Sequence, residues 1–369
     1  MKITVLQDHL RSGGTERHSI LLSREFARMG HGARLVTFRP GGRLAGLVAV
    51  EHRPLQPFDT GIDWLGPGLV RTVLGDGPDI VLCMGKTANC FAGRIQGRAA
   101  AGALRTRVVA TLRAGGRLPW FYYSSVRRAA HLVANSREAA DELVARHGLD
   151  RDRLSVIHNA LVFPASPPGR DEQLRARLGA GPGSVVLLSV GMFRPEKNQR
   201  ALVEIAAGLP AALDWRLWFV GDGPGRASCE RLAARSGLSG RVRFVGFQPD
   251  PGAFYRSADI AVHASREEAL SNALIEAQSN GLPAVAYQAL GVRECVVPGR
   301  TGFVVAHGDR KGFADAVALL ASDAPAVRAA RAAEARAFAL AAFDPGRQVG
   351  EYIGLFESLL RGAAPAPRP

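Results

Sequence analysis

Short apolar segments alternate with amphipathic ones along almost the whole chain. The first apolar segment, "KITVLQ" (2–7), is followed by "SGGTERHSILLSREFARMG" (12–30), a glycine-rich turn and a helical pattern that ends at Gly30. Strands separated by helices are typical of a mostly parallel sheet with both faces covered. The alternation therefore predicts an α/β protein.

A proline-rich segment interrupts this alternation. Proline cannot donate a hydrogen bond to a neighbouring strand, so "FPASPPGRDE" (163–172) is excluded from a sheet interior and predicts a linker near 163–180. Strand-like segments resume at "SVVLLSVG" (184–191). We predict an N-terminal Rossmann-like domain over 1–165, which would bind the acceptor, and a C-terminal Rossmann-like domain over 175–342, which would bind the nucleotide sugar. A helix over 343–361 would cross back over the domains, and a disordered tail would follow over 362–369.

In open α/β sheets, ligands bind beyond the carboxyl ends of the strands, and two such domains facing each other predict a site in the cleft between them. One strand-to-helix connection has an unusual composition, "EEALSNALIEAQSNGLP" (267–283). Ser271 or Asn272 is a suitable N-cap for a helix that ends at Asn280–Gly281. We expect the first amides, from Asn272 to Leu274, to lack partners within the helix and to form a phosphate site.

Two carboxylates flank this expected phosphate site. Glu268 precedes the helix, and Glu276 lies roughly 7 Å along its axis at ~1.5 Å per residue. Carboxylates accept hydrogen bonds from hydroxyls, so the arrangement suits a nucleotide sugar, with a ribose diol at one end and sugar hydroxyls at the other. A capped helix with two solvated glutamates is the alternative interpretation.

Basic and glycine-rich loops add to the pattern. In "SVGMFRPEKNQRAL" (189–202), Arg194 and Lys197 occupy a strand-to-helix loop, where cations would neutralise a diphosphate and stabilise it as a leaving group. A surface loop with ordinary charges is the alternative. Gly13 and Gly14 permit close backbone approach and indicate a substrate loop, although a tight turn explains them equally well.

The basic charge is concentrated in the first half. Residues 1–170 contain 24 Lys and Arg against 13 Asp and Glu, a net charge of +11, whereas 23 against 20 leave +3 in residues 171–369. An arginine-rich composition explains this excess as well as an anionic partner does. We expect no nucleic-acid partner, because no recognisable motif accompanies the charge. The segment "WFYYSSVRRAAHL" (120–132) is a candidate membrane- or acceptor-facing element, with a buried helix face as the alternative.

The sequence also bears on localisation. It has no run of about 18 apolar residues and no signal-peptide core at its start. Its four cysteines form no Cys-x-x-Cys pair and have no clustered histidine. We therefore expect a reduced, cytoplasmic protein without structural zinc, and the basic first half favours association with the inner face of the plasma membrane.

Taken together, these segments resemble the retaining glycosyltransferases of family four, which have the GT-B fold of two Rossmann-like domains. The resemblance covers nearly the whole chain. It depends on an ordered series of motifs, "GGTER", "LVANS", "VIHNAL", "VGMFRPEKN", "VGDGPGR", "RVRFVGF", "EEALSNALIEAQSNGLPAV" and "VPGRTGFVV". The spacing of the two glutamates is a weak signal alone, but the ordered series is specific.

The resemblance implies a role for each matching residue. Glu276 would bind the donor ribose, Glu268 the hydroxyls of the transferred sugar and Lys197 the diphosphate. The Gly13–Gly14 loop would approach the donor from the other domain. The distal phosphate would be held by the backbone at the helix start, namely by Ser271, Asn272, Ala273 and Leu274.

The resemblance also implies a mechanism without a dedicated nucleophile, since the leaving phosphate is thought to accept the proton of the acceptor on the same face of the sugar. Asp150 and Asp152 match the Asp-x-Asp pair that metal-dependent glycosyltransferases of the other fold use for manganese. Their alternating counter-charges favour a solvated turn instead. We expect no cofactor and no bound metal, because lysine, arginine and helix amides replace the metal.

Three positions depart from the pattern of the family. Met192 stands where arginine is usual, and Arg194 is a candidate to supply that charge. Ala269 follows Glu268 where glycine or serine is usual, which would tighten the sugar pocket. Arg113 replaces a common histidine and indicates an anionic acceptor or a contact with donor phosphate, so the predicted catalytic residues are Glu268, Lys197 and Arg113. An ordinary exposed arginine is the alternative.

The expected function is metal-independent transfer of a sugar, with retention, from a nucleotide sugar to a lipid-linked or saccharide acceptor. A UDP-sugar is the expected donor, and surface polysaccharide, lipopolysaccharide or glycolipid biosynthesis is the expected setting. The alternatives are a nucleotide-sugar epimerase of the same fold, which would need no basic acceptor domain, and a non-catalytic nucleotide-sugar-binding pseudo-transferase. A phosphorylase would carry a cofactor lysine, which is not identifiable here.

Overall fold

The computed structural model describes residues 1–11, 13–62, 64–113, 120–163 and 169–362. The chain forms two compact units. The first runs from Met1 to Leu161 and resumes at Asp344, and the second spans Val162–Phe343. The predicted tail from residue 363 onward and residues 164–168 of the proline-rich segment lie outside the described residues.

The first unit alternates strands with helices. Its strands are β1 (Lys2–Gln7), β2 (Gly32–Thr37), β3 (Glu51–Pro54), β4 (Ile80–Cys83), β5 (Arg107–Leu112), β6 (His131–Ala134) and β7 (Leu154–Val156). Its helices up to this point are α1 (Gly14–Arg28), α2 (Leu69–Leu74), α3 (Lys86–Ala101), α4 (Trp120–Val126) and α5 (Arg137–His147), with short 3₁₀ turns at Ala45–Leu47 and Arg151–Arg153.

The strands of the first unit form one parallel sheet in the order β3-β2-β1-β4-β5-β6-β7. Strand β4 is buried at every residue, with Val81 in the hydrophobic cluster on one face and Leu82 in the cluster on the other. Such strands are continuous apolar runs, which is why the sequence reveals them. Strand β3, "EHRP", escapes this pattern because it lies at the sheet edge, where charge and proline are tolerated.

The second unit repeats the arrangement. Its strands are β8 (Val185–Val190), β9 (Trp215–Val220), β10 (Val242–Gly246), β11 (Ile260–His263), β12 (Ala284–Tyr287) and β13 (Gly302–Val305). Its helices are α6 (Glu172–Arg177), α7 (Gln199–Ala207), α8 (Arg226–Arg235), α9 (Gly252–Ser257), α10 (Asn272–Ser279), α11 (Arg310–Ala321) and α12 (Pro325–Ala342), and a 3₁₀ turn lies at Pro195–Lys197.

The sheet of the second unit is also parallel, in the order β10-β9-β8-β11-β12-β13. The order reverses between β8 and β11, which pair directly through Leu187 and Ile260. Ligands of open α/β sheets bind at this switch point, beyond the carboxyl ends of the strands. The connections that follow β8 and β11 are therefore neighbours at the expected ligand position.

The last described helix, α13 (Pro345–Arg361), returns to the first unit. Tyr352 and Phe356 are 1% and 0% exposed. Their rings contact that of Phe26 in α1, with centroid distances of 6.4 and 5.7 Å. Helix α13 thus completes one face of the first unit's core.

The predicted α/β class with two Rossmann-like units is confirmed. The linker expected near 163–180 is wrong in part, because helix α6 occupies Glu172–Arg177. The side chain of Asp171 caps this helix, and Arg175 is fully buried with its guanidinium bound to Asp259. The helix was not predicted because its buried side includes a charged residue, where an apolar pattern would be expected. No helix among the described residues is both long and apolar enough to cross a membrane.

Candidate functional site

Two loops of the second unit, one after β8 and one after β11, are tied together by hydrogen bonds. The backbone nitrogen of Arg266 donates to the carbonyl of Glu196 at 2.8 Å. The side chain of Asn198 donates to the carbonyl of Ala264 at 3.3 Å. Asn198 has φ of 52°, a left-handed conformation that asparagine tolerates. These ties hold the turn that ends at Lys197 against the segment before α10.

Lys197 and Glu268 form an ion pair in which Nζ lies 2.5 Å from Oε1. Nε2 of His263, at the end of β11, lies 2.8 Å from the same carboxylate oxygen and therefore carries the proton. The side chains of Glu268 and His263 are each 8% exposed, whereas that of Lys197 is 29% exposed. The carboxylate is thus buried between two donors, and the ammonium reaches solvent.

Burial and ion pairing act in opposite directions on Glu268. Burial disfavours its charged form, but the charge of Lys197 and the hydrogen bond from His263 outweigh this and lower the pKa of Glu268 to about 2. Glu268 is therefore ionised at neutral pH and acts as a hydrogen-bond acceptor. It cannot supply a proton to a leaving group in this state.

The predicted helix start is confirmed. Ser271 is the N-cap of α10, and its Oγ accepts the backbone N–H of Leu274 at 3.4 Å. The helix ends at Asn280 and Gly281, as predicted. As the predicted N-cap implies, the Leu274 amide binds the Ser271 side chain and not a carbonyl within the helix, so this amide is already occupied. The amides of Asn272 and Ala273 precede it at the helix N-terminus.

Glu276 lies on α10 within reach of a phenol. The Tyr255 hydroxyl, from α9, donates to Oε2 of Glu276 at 2.9 Å. Burial and the neighbouring Glu276 charge raise the pKa of Tyr255 well above its ordinary value, so the phenol stays protonated. Tyr255 is 3% exposed, whereas Glu276 is half-buried. Tyr255 therefore orients a carboxylate that remains accessible.

Arg194 stands apart from the ion pair. Its side chain is 47% exposed, and Nη1 lies 3.9 Å from Glu196. Among the described residues, no hydrogen bond or ion pair joins the Arg194 side chain to Glu268 or to the start of α10. The backbone carbonyl of Met192, where the family pattern has arginine, accepts a hydrogen bond from Gln199 at 2.8 Å.

The "GDGPG" segment shapes the loop after β8. Gly221 has φ of 146°, and a Cβ there would lie 2.0 Å from the carbonyl oxygen of Gly191. Phe193 binds this segment through its own N–H, donating to the carbonyl of Asp222 at 3.0 Å. The segment forms a turn after β9, and its glycines allow the loop of Met192 and Phe193 to pack closely.

The remaining predicted site residues lie in the first unit. Gly13 is the N-cap of α1, and Gly14 begins the helix. A Cβ on Gly13 would lie 2.4 Å from the Glu16 carboxylate, which folds back over the helix start. Within the first unit, the group that approaches the Gly13–Gly14 loop closely is therefore the Glu16 side chain of the same helix.

Arg113 is directed into the first unit. Nη1 donates to Oδ1 of Asn159 at 2.9 Å, and Nη2 contacts the ring of His18. Burial lowers the pKa of Arg113, and a hydrogen bond with Tyr352 of α13 partly offsets this. Burial and the charge of Arg113 lower the pKa of His18 well below its ordinary value. Arg113 therefore joins three parts of the unit's interior, which does not favour the exposed-arginine interpretation.

Two residues of the site are absent from the sequence prediction. His263 is the single polar residue of an otherwise apolar strand and lies at its carboxyl end. Because ligands bind beyond the carboxyl ends of strands, this position in the sequence could have indicated a site residue. Tyr255 precedes Glu276 by 21 residues on another helix. No spacing rule connects such a pair, so only the fold reveals it.

Asp150 and Asp152 form a capped turn. The carboxylate of Asp150 accepts the N–H of Asp152 at 3.0 Å and caps the 3₁₀ turn at Arg151–Arg153. Arg151 forms an exposed ion pair with Asp141 at 3.0 Å. The geometry is that of the turn favoured by the sequence.

Both halves of the chain match known family models. Residues 12–161 match the model described as Glycosyltransferase Family 4, and residues 170–337 match the model described as Glycosyl transferases group 1. The two matches together include most of both units.

Two curated relatives show similarity over part of the chain. The lipopolysaccharide core biosynthesis glycosyltransferase LpsE of Rhizobium meliloti is 36% identical over 149 residues, which are 40% of this chain and 43% of that protein. A D-inositol 3-phosphate glycosyltransferase of Nocardia farcinica is 34% identical over 214 residues, 55% of this chain and 47% of that protein. The chain thus spans less than half the length of either relative.

A solved structure shares the architecture over nearly the full length. Anabaena HepE in complex with UDP-glucose superposes with a TM-score of 0.81 at 23% identity, covering 97% of this chain and 100% of that chain. At this identity the likeness establishes a common fold.

Proposed function

Because this chain belongs to the family 4 glycosyltransferases and has their GT-B fold, we propose that it transfers a sugar, with retention of configuration, from a nucleotide sugar to a saccharide or lipid-linked acceptor. The observation that carries the proposal is the ion pair of Lys197 and Glu268 beside the N-terminus of α10. It places a cation, an ionised carboxylate and helix amides together at the switch point of the sheet.

In the proposed complex, each group meets the part of the donor that its chemistry suits. Glu276 accepts hydrogen bonds from the ribose, and Glu268 accepts them from hydroxyls of the transferred sugar. Lys197 has three N–H donors, of which one is directed at Glu268, so the others are available to a diphosphate. In the backbone from Ser271 to Leu274, the amides of Asn272 and Ala273 face the distal phosphate, while the Leu274 amide holds the Ser271 cap. Arg194, on the exposed loop beside the site, contributes charge at longer range.

The proposed reaction exchanges one bond to the anomeric carbon for another on the same face. The bond from this carbon to the donor phosphate oxygen breaks, the bond to the acceptor oxygen forms, and the departing phosphate takes the acceptor proton. Lys197 stabilises the negative charge that develops on the diphosphate. In this mechanism the cations and helix amides do what a metal ion would do, and Glu268 remains ionised throughout.

The donor base and the setting are proposed from the relatives. Anabaena HepE binds UDP and UDP-glucose, which supports a UDP-sugar. The name of LpsE concerns lipopolysaccharide core biosynthesis, which supports an acceptor in surface polysaccharide or glycolipid assembly. We propose that the protein works in the cytoplasm at the inner face of the plasma membrane, where its basic first half meets anionic lipid.

The test measures release of nucleoside diphosphate from UDP-, GDP- and ADP-sugars in EDTA, with and without a membrane-lipid extract. We expect one donor to turn over and lipid to raise the rate. Lys197→Ala should reduce turnover at least about a hundredfold, as loss of one charge-stabilising group does elsewhere. Lys311→Ala is the matched control, since Lys311 also pairs with a carboxylate, Asp315 at 2.6 Å, but is 86% exposed on α11.

Each contrary result has a defined meaning. Donor consumption that needs no acceptor would indicate an epimerase, and tight donor binding without turnover would indicate a non-catalytic binding protein. Loss of turnover in EDTA would contradict the metal-independent mechanism and direct attention to Asp150 and Asp152. Equal loss in the Lys197 and Lys311 variants would remove Lys197 from the proposed site.

A further inference from the structure

The charged side chains described so far in the second unit do not by themselves favour a diphosphate. Lys197 is paired with Glu268, so these two charges offset each other. Glu276 adds a second carboxylate, and the amides at the start of α10 contribute only a partial positive charge. Because a nucleoside diphosphate is itself anionic, its binding here is favoured by a further cation that no carboxylate neutralises.

The loop after β8 does not supply this cation in contact with the site. Met192, at the position where the family has arginine, carries no charge. The Arg194 side chain is 47% exposed, and its ion pair within the described residues is with Glu196 at 3.9 Å, so its charge is partly offset. A cation for the diphosphate therefore has to come from another loop.

The connection that follows β12 reaches the start of α10. Strands β11 and β12 pair in parallel, so their carboxyl ends are adjacent. The turn at residues 288–295 then brings Sγ of Cys295 to 3.8 Å from the carbonyl oxygen of Ser271, the N-cap of α10. This turn borders the helix start from the side of β12, whereas Lys197 approaches it from the side of β8.

Buried side chains hold this turn in place. Val292 and Cys295 are each 0% exposed. The N–H of Val292 donates to the carbonyl of Ala289 at 3.1 Å, and the N–H of Cys295 donates to the carbonyl of Val292 at 2.9 Å. Arg293, next to Val292, is exposed. The turn therefore fixes the backbone of Arg293 and leaves its side chain accessible.

A neutral amide orients the Arg293 guanidinium. Nε donates to Oε1 of Gln288 at 2.5 Å, and Gln288 is the first residue beyond the carboxyl end of β12. The N–H of Gln288 donates to the carbonyl of Val305 at 2.7 Å, which ties the glutamine to β13. Within the part of the chain that the structure describes, Nη1 and Nη2 form no hydrogen bond or ion pair. Since an amide carries no charge, the positive charge of Arg293 is not neutralised by this contact.

We propose that Arg293 binds the diphosphate of the nucleotide-sugar donor and that Gln288 is its positioning residue. Guanidinium groups bind phosphate through two parallel N–H donors, and Nη1 and Nη2 provide them. Lys197 and Arg293 then act on the diphosphate from the two sides of the start of α10. This inference rests on the proposed function and adds a binding residue that the sequence did not indicate.

The first experiment measures binding of UDP and of uridine by titration calorimetry. Arg293→Gln should weaken UDP binding at least about tenfold, as loss of a hydrogen bond between charged groups does, and leave uridine binding unchanged. Arg293→Lys should recover part of the affinity, because lysine keeps the charge but not the paired donors. Arg235→Gln is the matched control, since Arg235 is an exposed arginine of the second unit that ends α8, before the amino end of β10.

The second experiment tests whether Gln288 acts through Arg293. Gln288→Ala should weaken UDP binding less than Arg293→Gln does. In the Arg293→Gln background, Gln288→Ala should have no further effect on UDP affinity, because the guanidinium that it orients is gone. Additive losses of affinity would mean that Gln288 acts independently of Arg293 and would remove its positioning role.

Several outcomes overturn the assignment of Arg293 to the diphosphate. Equal UDP affinity in the parent chain and Arg293→Gln would do so, as would an equal loss of affinity for uridine. Inorganic pyrophosphate should give the same ranking of variants whichever base the donor has, and a parent chain that binds neither it nor UDP would contradict the proposal. If Arg293→Gln lowers kcat/KM for UDP-glucuronic acid but not for UDP-glucose, the arginine binds a carboxylate of the transferred sugar instead.

Failure of this inference is distinguishable from failure of the proposed function. If turnover and UDP affinity are unchanged in Arg293→Gln while Lys197→Ala loses turnover, the transferase proposal stands and Arg293 is removed from the site. If UDP binding depends on Arg293 but no donor turns over, Arg293 remains a diphosphate-binding residue and the transfer reaction is excluded.

Discussion

At Glu268, one carboxylate links the turn after β8 with the segment that ends β11. It follows β11, pairs with Lys197 from the turn after β8 and accepts a hydrogen bond from His263. Since its side chain is 8% exposed, removal of either partner would leave a poorly compensated buried charge. The residue is thus important for stability as well as for the proposed binding of sugar hydroxyls.

The lowered pKa of Glu268 makes the second unit acid-sensitive. Its pKa is lowered from 4.5 to about 2, so its stabilising effect is complete above about pH 4.5 and is lost as the pH falls towards 2. Linkage puts this effect on the order of 3 kcal/mol. We expect Glu268→Gln to be less stable at pH 7 and to lose this part of the pH dependence.

Urea unfolding at several pH values, followed by the fluorescence of the buried Trp215 and Trp218, measures this effect. Glu267→Gln is the matched control, because Glu267 is the exposed neighbour of Glu268. The same pH dependence in parent and Glu268→Gln would contradict the assignment of the acid sensitivity to Glu268.

Tyr255 offers a second test at the scale of one atom. Tyr255→Phe removes the hydroxyl that orients Glu276, and we expect donor affinity to fall about threefold to tenfold, as loss of one hydrogen bond would give. Tyr287→Phe is the control, since the Tyr287 hydroxyl is buried without a hydrogen-bond partner among the described residues. Titration calorimetry with the nucleoside diphosphate compares the two. A larger effect in Tyr287→Phe would oppose the proposed role of Tyr255.

At the scale of elements, the start of α10 both stabilises the helix through a cap and forms part of the proposed donor site. Ser271 caps the helix, lies 3.4 Å from Nε2 of His263, and is 2% exposed. The cap therefore connects helix stability to the residues around Glu268. A second serine cap in the chain, Ser136 of α5, accepts the N–H of Ala139 at 3.1 Å in the first unit.

These two caps allow stability to be separated from binding. Ser271→Ala and Ser136→Ala should each lower the free energy of unfolding by about 1 kcal/mol. Only Ser271→Ala should weaken donor binding, because α5 is not part of the proposed site. Thermal unfolding and calorimetry on both variants give the comparison. Equal donor affinity in the two variants would exclude α10 from the donor site.

The sequence was sufficient for those elements whose physical signal is local. The sequence predicts β8 and β11 from their apolar runs, because burial restricts the residues allowed there. It predicts the start of α10 from Ser271, because few residue types cap a helix well. Strand β3 and helix α6 were missed because their stability depends on neighbours, an adjacent strand in one case and the Arg175–Asp259 contacts in the other. His263 and Tyr255 likewise gain their roles from contacts that no spacing in the sequence encodes.

At the scale of the whole molecule, the first unit is assembled from both ends of the described chain. Helix α13 places Val349, Tyr352 and Phe356 in the same hydrophobic cluster as Ile3 and Val5 of β1. Arg113 adds a polar connection to Tyr352. The second unit, by contrast, is continuous in sequence.

This arrangement predicts a localised effect of a substitution in α13. Phe356→Ala removes a fully buried ring and should destabilise the first unit by about 3–5 kcal/mol. Hydrogen exchange should show faster exchange in β1 and α1, with β8 to β13 unchanged. Leu340→Ala, at a residue 39% exposed in α12, is the control. Uniformly faster exchange in both units would contradict the assignment of α13 to the first unit.

The return of α13 has a consequence for synthesis on the ribosome. The nascent chain presents β1 to β7 first, but the face of their sheet that α1 covers lacks α13 until residues 345–361 have emerged. The second unit, complete at Phe343, has all its residues available before then. The C-terminal unit can therefore finish folding before the N-terminal one, and during that interval the first unit exposes the apolar side chains that α13 later covers, which favours chaperone binding there.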